Sequence, residues 1–417
     1  MSVQHFAQDT IYDLAAPDYL DNVERVLCDL VQSGKPLAIA DLHGKPVYIV
    51  ADIELARRIF EDSKNFSFAP VDPEGDDELT EGAKAFFDEG LDSPLLSSGH
   101  DDYKISRRLF NRAFRRGYGD RAEVVDARAR GHLAQLLDDV GPPRIDALAL
   151  CQNYWLPLAA DVIGIGALAQ TELAAIASAA RTLVEGNGLQ GGPETIRRLA
   201  SADATITSAL AKVIDAGTVP EQSALASLLE NVDRREAIGF ARTFILGGID
   251  TGSSALALQT RLLAEQPVQR ARFLALDSVA QREAVTELAS KEAPTLYTPR
   301  FAIRDVEIAG VQIAAGSFVQ LAIYAFNRCA NPDFDICRFA AGECPLHRRE
   351  TLPFGHARHK CPGEALARHL GPIFLQGLFS RFQVDAIAAF SQPRNTFARS
   401  VSALILQVRA IENTCAR

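Results

Sequence analysis

From residue 101 to residue 291 the chain reads as one helical segment after another, and this limits the possible folds more than any other feature. Helical patterning covers 101–140, 144–186, 194–216, 234–266 and 280–291, with the Gly-rich stretch GNGLQGGP at 186–193 as an intervening loop. Ahead of this run, residues 19–34 carry apolar positions at helical spacing and end at Gly34. Residues 36–50 read as a β-hairpin turning at His43-Gly44-Lys45-Pro46, and Asp52 is placed to cap a helix through Phe60. Residues 70–100 are acidic and rich in Pro, Gly and Ser, as in a long mobile surface segment. Downstream, 300–324 alternates as short strands, 327–360 is loop-rich, a helix runs from Pro362 to about Phe382, and 396–413 is strand-like. The expectation is a mainly α fold with a smaller β part (about 36–50, 300–324 and 396–413), in a single domain over residues 1–417.

Charge and cysteine usage narrow the function. The net charge of −10 excludes the basic surface that general nucleic-acid binding requires. The N-terminus lacks a positive region followed by an apolar one, and no stretch approaches 18 apolar residues, so neither a signal peptide nor a membrane span is expected. The seven cysteines (Cys28, Cys151, Cys329, Cys337, Cys344, Cys361 and Cys415) are odd in number and widely spaced, which points to a reducing cytoplasm rather than a disulfide framework.

Residues 354–363 read Phe-Gly-His-Ala-Arg-His-Lys-Cys-Pro-Gly. Cys361 directly precedes a predicted helix that starts at Pro362, a position Pro favours. The free N–H groups and dipole of such a helix end face the sulfur, and Arg358, His359 and Lys360 add positive potential; both lower a thiol pKa. Gly355 and Gly363 permit a flat ligand to approach the backbone. On local physics alone, a buried inert Cys and a metal-ligating thiolate both remain open.

The full string closely resembles the haem-binding signature of the cytochrome P450 family, with Phe354, Gly355, Ala357, His359, Cys361 and Gly363 meeting all six constrained positions. The resemblance implies a cytochrome P450-like fold, a haem-thiolate monooxygenase, haem b as cofactor and Cys361 as its metal ligand. It places His359 on a haem propionate. Gly247-Gly248-Ile249-Asp250-Thr251 is similar to the family's oxygen-activation motif, which makes Asp250 and Thr251 the catalytic pair. Arg300, six residues past Pro294, matches a propionate-binding Arg; Arg107 matches the Arg of the family's C helix, where Tyr103 stands in place of the common His and its hydroxyl can donate to a propionate carboxylate. One departure is sharp. Glu287-Leu288-Ala289-Ser290 replaces the family's Glu-x-x-Arg, so Glu287 needs a substitute cation, with Arg338 the first candidate and Arg328 the second.

Two rivals use the same residues differently. Cys329, Cys337, Cys344 and His347 form a loose zinc candidate whose spacing departs from tight Cys knuckles. Cys361 with His356 or His359 could form a nucleophilic pair, which leaves Asp250-Thr251 and Arg300 unexplained. Within the family reading, the reaction is most simply hydroxylation of a small-to-medium organic molecule in a biosynthetic or catabolic pathway. Oxidative coupling, desaturation, or a non-catalytic haem-binding sensor or carrier are the alternatives. The chain carries no flavin or iron–sulfur motif, so the resemblance implies a separate ferredoxin with an NAD(P)H-dependent reductase. Basic residues Arg108, Arg112, Arg115, Arg116, His347, Arg348, Arg349, Arg358 and Lys360 are suited to steer such an acidic partner. Phe244, Leu296, Tyr297 and Phe397 are candidate pocket-lining residues.

Overall fold

The computed structural model describes residues 12–42, 44–68, 100–186, 193–330, 334–336 and 351–411. The expected mobile segment at 70–99, most of the loop at 186–193, and Cys337, Arg338, Cys344, His347, Arg348, Arg349 and Cys415 lie outside these residues.

The N-terminal part builds as its sequence dictates. Helix α1 (Pro17–Gln32) starts with Pro at its first position and buries Tyr19, Val23, Leu27 and Leu30, spaced three and four apart on one stripe. Strands β2 (Leu37–Leu42) and β3 (Lys45–Val50) form the expected hairpin, in register from Leu37↔Val50 to Leu42↔Lys45. The Asp52 carboxylate caps α2 (Ile53–Glu61) by accepting the Leu55 N–H at 2.6 Å. With β1 (Tyr12–Asp13), β4 (Phe66–Ser67), β6 (Thr298–Ala302) and β9 (Phe318–Leu321), the hairpin makes a six-stranded mixed sheet ordered β1-β2-β3-β9-β6-β4.

The helical run forms the larger core. It comprises α3 (His100–Gly117), α4 (Ala122–Asp138), α5 (Ala147–Ile163), α6 (Gln170–Gly186), α7 (Pro193–Asp215), α8 (Ala224–Leu229), α9 (Arg234–Ile245), α10 (Thr251–Glu265), α11 (Pro267–Ala275) and α12 (Ser278–Lys291). Helix α13 (Ile323–Cys329) follows the sheet, and α14 (Glu364–Arg381) follows the cysteine loop. Helices α9 and α10 are buried along most of their lengths, from Ala237 to Leu263, which places this rod at the centre of the core.

The β part differs from expectation at three places. Strand β10 (Phe382–Ser391) runs directly out of α14 and pairs with β11 (Ala403–Ala410), which in turn pairs with β5 (Arg144–Asp146). The sequence hides β10 because only Phe382 and Val384 are buried along it, so it lacks apolar alternation. Strand β5 is three residues long and exists only through its pairing with β11. Residues 396–402, expected as strand, are a loop tied to Thr295 by a single bridge through Ala398.

Helix α5 ends at Gly164, whose φ of 105° lies in the left-handed region, with the Ser223 side chain packed where a Cβ would stand. Gly164→Ala is expected to lower stability by about 2–4 kcal/mol from backbone strain plus overpacking, read as a lower urea midpoint at unchanged slope.

Candidate functional site

The cysteine loop is a compact turn structure. Gly355 has φ 73° and Ala357 has φ 53°, both left-handed, and Ala357–His359 make one 3₁₀ turn. Together these bends bring the Cys361 N–H onto the Phe354 carbonyl at 2.7 Å. Two residues of α3 hold the outside of the loop: the Tyr103 hydroxyl donates to the Arg358 carbonyl at 2.5 Å, and Arg107 donates to the Lys360 carbonyl at 2.7 Å. The Arg358 guanidinium lies over the Tyr103 ring at 4.4 Å, and that ring sits 4.4 Å from His359. Tyr103 therefore spends its only proton on the loop's backbone, where the sequence reading had aimed it at an anion.

The helix after the cysteine begins at Glu364, two residues later than expected; Pro362 and Gly363 form a turn ahead of it. The N–H groups of Gly363 and Glu364 still point at the Cys361 sulfur and favour thiolate. Burial outweighs them, however, and the thiol is pushed up, not down. A metal cation against the sulfur reverses that balance.

Beside the cysteine, Arg300, Arg358 and Arg107 converge on His359. Arg300 on β6 is 2% exposed, spends Nη1 on the Pro299 carbonyl at 2.6 Å, and leaves Nη2 buried with no hydrogen-bond partner among the described residues. Its guanidinium lies 4.7 Å from the Phe60 ring centroid, and burial lowers its pKa to about 10. His359 is driven to a pKa of about 2, first by burial and then by Arg300, Arg358 and Arg107. A buried guanidinium with an unpartnered donor, as Arg300 is, is costly until an anion meets it. A planar group carrying carboxylates at one edge and a metal at its centre matches both the cations and the thiol.

The α9–α10 rod breaks locally. Leu246–Asp250 form a π-helical turn. The disturbed ladder is completed by side chains: the Trp155 indole N–H donates to the Gly248 carbonyl at 2.7 Å, the Thr251 hydroxyl donates to the Gly247 carbonyl, and the Ser253 hydroxyl donates to the Asp250 carbonyl at 3.1 Å. Asp250 is buried; its Oδ1 pairs with Arg181 Nε at 2.8 Å and its Oδ2 accepts from the Ser400 hydroxyl at 3.1 Å. Gly247 and Gly248 have open space where a Cβ would go, so protein packing does not explain them. Gly252 is the tightly packed glycine, since a Cβ there would overlap the Trp155 indole. In the sequence Gly252 is only one more glycine interrupting the helical stretch 234–266, and its packing on Trp155 is not legible there, though Trp155 is the single Trp of the chain.

Three aromatic or aliphatic candidates prove to be core. Phe244 stacks on Phe110 at 3.8 Å, while Leu296 and Tyr297 belong to the cluster under α1. Phe397 meets the Tyr297 ring edge-on at 5.3 Å. The expected basic face is also partly neutralised, because Arg115 pairs with Asp120, Arg116 with Glu230, and Lys360 with Glu364.

At the end of α12, Glu287 is buried, and Ser290 turns its hydroxyl back onto the Thr286 carbonyl at 3.0 Å. Arg338 lies outside the described residues, and Arg328 is committed elsewhere. It holds Glu292 at 2.9 Å, together with Arg399 at 2.7 Å and Arg261 at 3.8 Å. Arg399 also binds Glu24 at 2.7 Å and the Ala293 carbonyl at 2.9 Å, so α1, α10, α12, α13 and the loop before β11 meet at one buried carboxylate. Burial raises the Glu292 pKa, but the three arginines hold it below the usual range. A depressed carboxylate stabilises the fold above its unfolded value, about 4.3, and that contribution is lost as pH falls through the folded value. Glu292→Gln should cost about 3–5 kcal/mol at neutral pH and flatten the loss of stability on acidification, measured by urea unfolding across pH.

Comparison with known proteins follows the same lines. Residues 291–410 match the sequence model of the family described as Cytochrome P450. The chain is 28% identical over 369 residues to Cytochrome P450 FAS1 of Rhodococcoides fascians, covering 80% of this chain and 82% of that one. A shorter stretch of 169 residues is 35% identical to the 6-deoxyerythronolide B hydroxylase of Saccharopolyspora erythraea, covering 38% of this chain and 40% of that enzyme. The bacillaene polyketide synthase cytochrome P450 PksS of Bacillus subtilis superposes with a TM-score of 0.78 at 18% identity, over 96% of this chain and 100% of that one. CYP109Q5 from Chondromyces apiculatus gives 0.75 at 21% identity, over 96% and 98%. At such identities the structures speak for the fold. Among the described residues, no helix is long and apolar enough to cross a membrane.

Proposed function

This chain belongs to the cytochrome P450 family, and from that premise we propose that it hydroxylates a small-to-medium organic molecule, with Cys361 as the sulfur ligand of a haem b iron. As a member it is an oxidoreductase, a monooxygenase that uses a haem iron, an organic substrate, dioxygen and redox partners. The observation that carries the site assignment is the buried Arg300 guanidinium, whose Nη2 has no hydrogen-bond partner among the described residues, close to His359 of the cysteine loop.

In this reading Arg300, Arg107 and His359 hold the propionates. The orphaned Nη2 of Arg300 is the donor with nothing else to bind. Tyr103 fixes the loop that carries His359, and Phe354, Gly355 and Gly363 shape it around the sulfur. Gly247 and Gly248 leave the opposite wall open to the flat face of the group. The haem, when bound, supplies the reduction of dioxygen that inserts one oxygen atom into substrate and releases the other as water. Asp250 and Thr251, at the break in the central rod, would pass protons to that chemistry. Electrons come from a ferredoxin in the cytoplasm, docked against α3. Exposed Arg108 and Arg112 support that surface; Arg112 spends one N–H on the neutral Asn231 side chain, so its charge stays available.

Reduced protein under carbon monoxide should show the strongly red-shifted Soret band of thiolate-ligated haem, and Cys361→His should abolish that shift. A chain that binds no haem, or a band unmoved by the substitution, overturns the ligand assignment. Arg112→Glu should slow electron delivery from a ferredoxin several-fold with haem content intact; an unchanged rate removes α3 as the docking face.

A further inference from the structure

We propose that Glu185 is the proton-supplying residue of this site, feeding Asp250 through the hydroxyl of Ser400. The inference rests on the reading that Asp250 and Thr251 pass protons, and extends it outward by two groups.

Asp250 is buried and both its oxygens are used, Oδ1 by Arg181 and Oδ2 by Ser400. Arg181 blocks one side as a permanently charged donor that cannot release a proton at working pH. Ser400 is different. Its hydroxyl is 2% exposed, donates to Asp250, and also faces the Glu185 carboxyl. A hydroxyl with a carboxyl on either side can accept a proton from one while giving its own to the other. Glu185 sits one turn beyond Arg181 on α6, at the helix end, and the Asn395 side chain clamps its backbone carbonyl at 2.7 Å. That clamp fixes the loop carrying Ser400 against α6.

The Glu185 side chain is half-buried, and its Oε1 has no hydrogen-bond partner among the described residues. An ionised carboxylate with an unsatisfied buried oxygen is costly; a protonated one is less so. The groups facing it are Arg181 on its own helix, Arg198 on α7, Asp250 on the central rod, and Ser400. Burial and Asp250 push its pKa up, while Arg181, Arg198 and Ser400 oppose them; burial is largest and the net shift is upward. Glu185 is thus the group beside Asp250 best placed to arrive carrying a proton.

The transfer balances without electrons. The Glu185 carboxyl gives its proton to Ser400 Oγ as the Ser400 proton moves to Asp250 Oδ2. Glu185 is left as carboxylate, Ser400 is unchanged, and Asp250 becomes a neutral acid that no longer pairs with Arg181. Water at the end of α6 then reprotonates Glu185. Acting through two other groups, Glu185 is a positioning residue and not a catalytic one.

The test uses the haem-loaded, full-length protein and two readouts. Infrared spectra at neutral pH should contain a protonated-carboxyl stretch that shifts in D₂O, disappears in Glu185→Gln, persists in Glu185→Asp, and moves in Ser400→Ala. In turnover, Glu185→Gln and Ser400→Ala should each raise the peroxide-to-product ratio about tenfold. Glu185→Asp should restore coupling, and Glu185→Gln should remove the high-pH limb of the activity profile. Unchanged thermal midpoints in Glu185→Gln exclude a folding defect. Asp250→Asn separates the two levels. If it uncouples turnover while Glu185→Gln and Ser400→Ala do not, the relay is wrong. If Asp250→Asn leaves coupling intact, the acid–alcohol reading beneath it fails; absence of the carboxyl band overturns the relay whatever turnover does.

Discussion

The arrangement depends on one electrostatic imbalance. The buried Arg300, with Arg107 and Arg358, acts on His359 two residues before a thiol whose pKa is raised. Neither half is comfortable alone: the cations want an anion, and the sulfur wants a cation. A single ligand that is anionic at its rim and cationic at its centre satisfies both. The loop that displays the thiol is held from α3 through its backbone, by donors to the Arg358 and Lys360 carbonyls.

The central rod is irregular in a different way. A π turn displaces carbonyls that a regular helix would use, and the fold answers with an indole, a threonine hydroxyl and a serine hydroxyl. The two glycines in the turn have nothing packed on them, while the third, Gly252, is pinned by Trp155. The rod is therefore anchored on one side and open on the other.

How much of this was legible followed from range. The cysteine loop, the hairpin at 37–50 and the Asp52 cap are set by neighbours in sequence, and their patterns were readable. The thiol's upward shift was not, because it is caused by burial that no local string reports. Strand β10 escaped because pairing, not alternation, makes it a strand. The Glu292 cage escaped because its cations come from Arg261, Arg328 and Arg399, far apart in the chain. The stacking of Phe244 on Phe110 was not legible either, because it joins α9 to α3 across 134 positions.

The tryptophan has a consequence of another kind. With one Trp in 417 residues, the chain has a single indole chromophore, and folding ties its N–H to the Gly248 carbonyl at the π turn. Any event that re-registers this turn must change what that indole is bonded to. The molecule thus carries an unlabelled optical gauge of its central wall, which reads the state of the helix without reference to turnover.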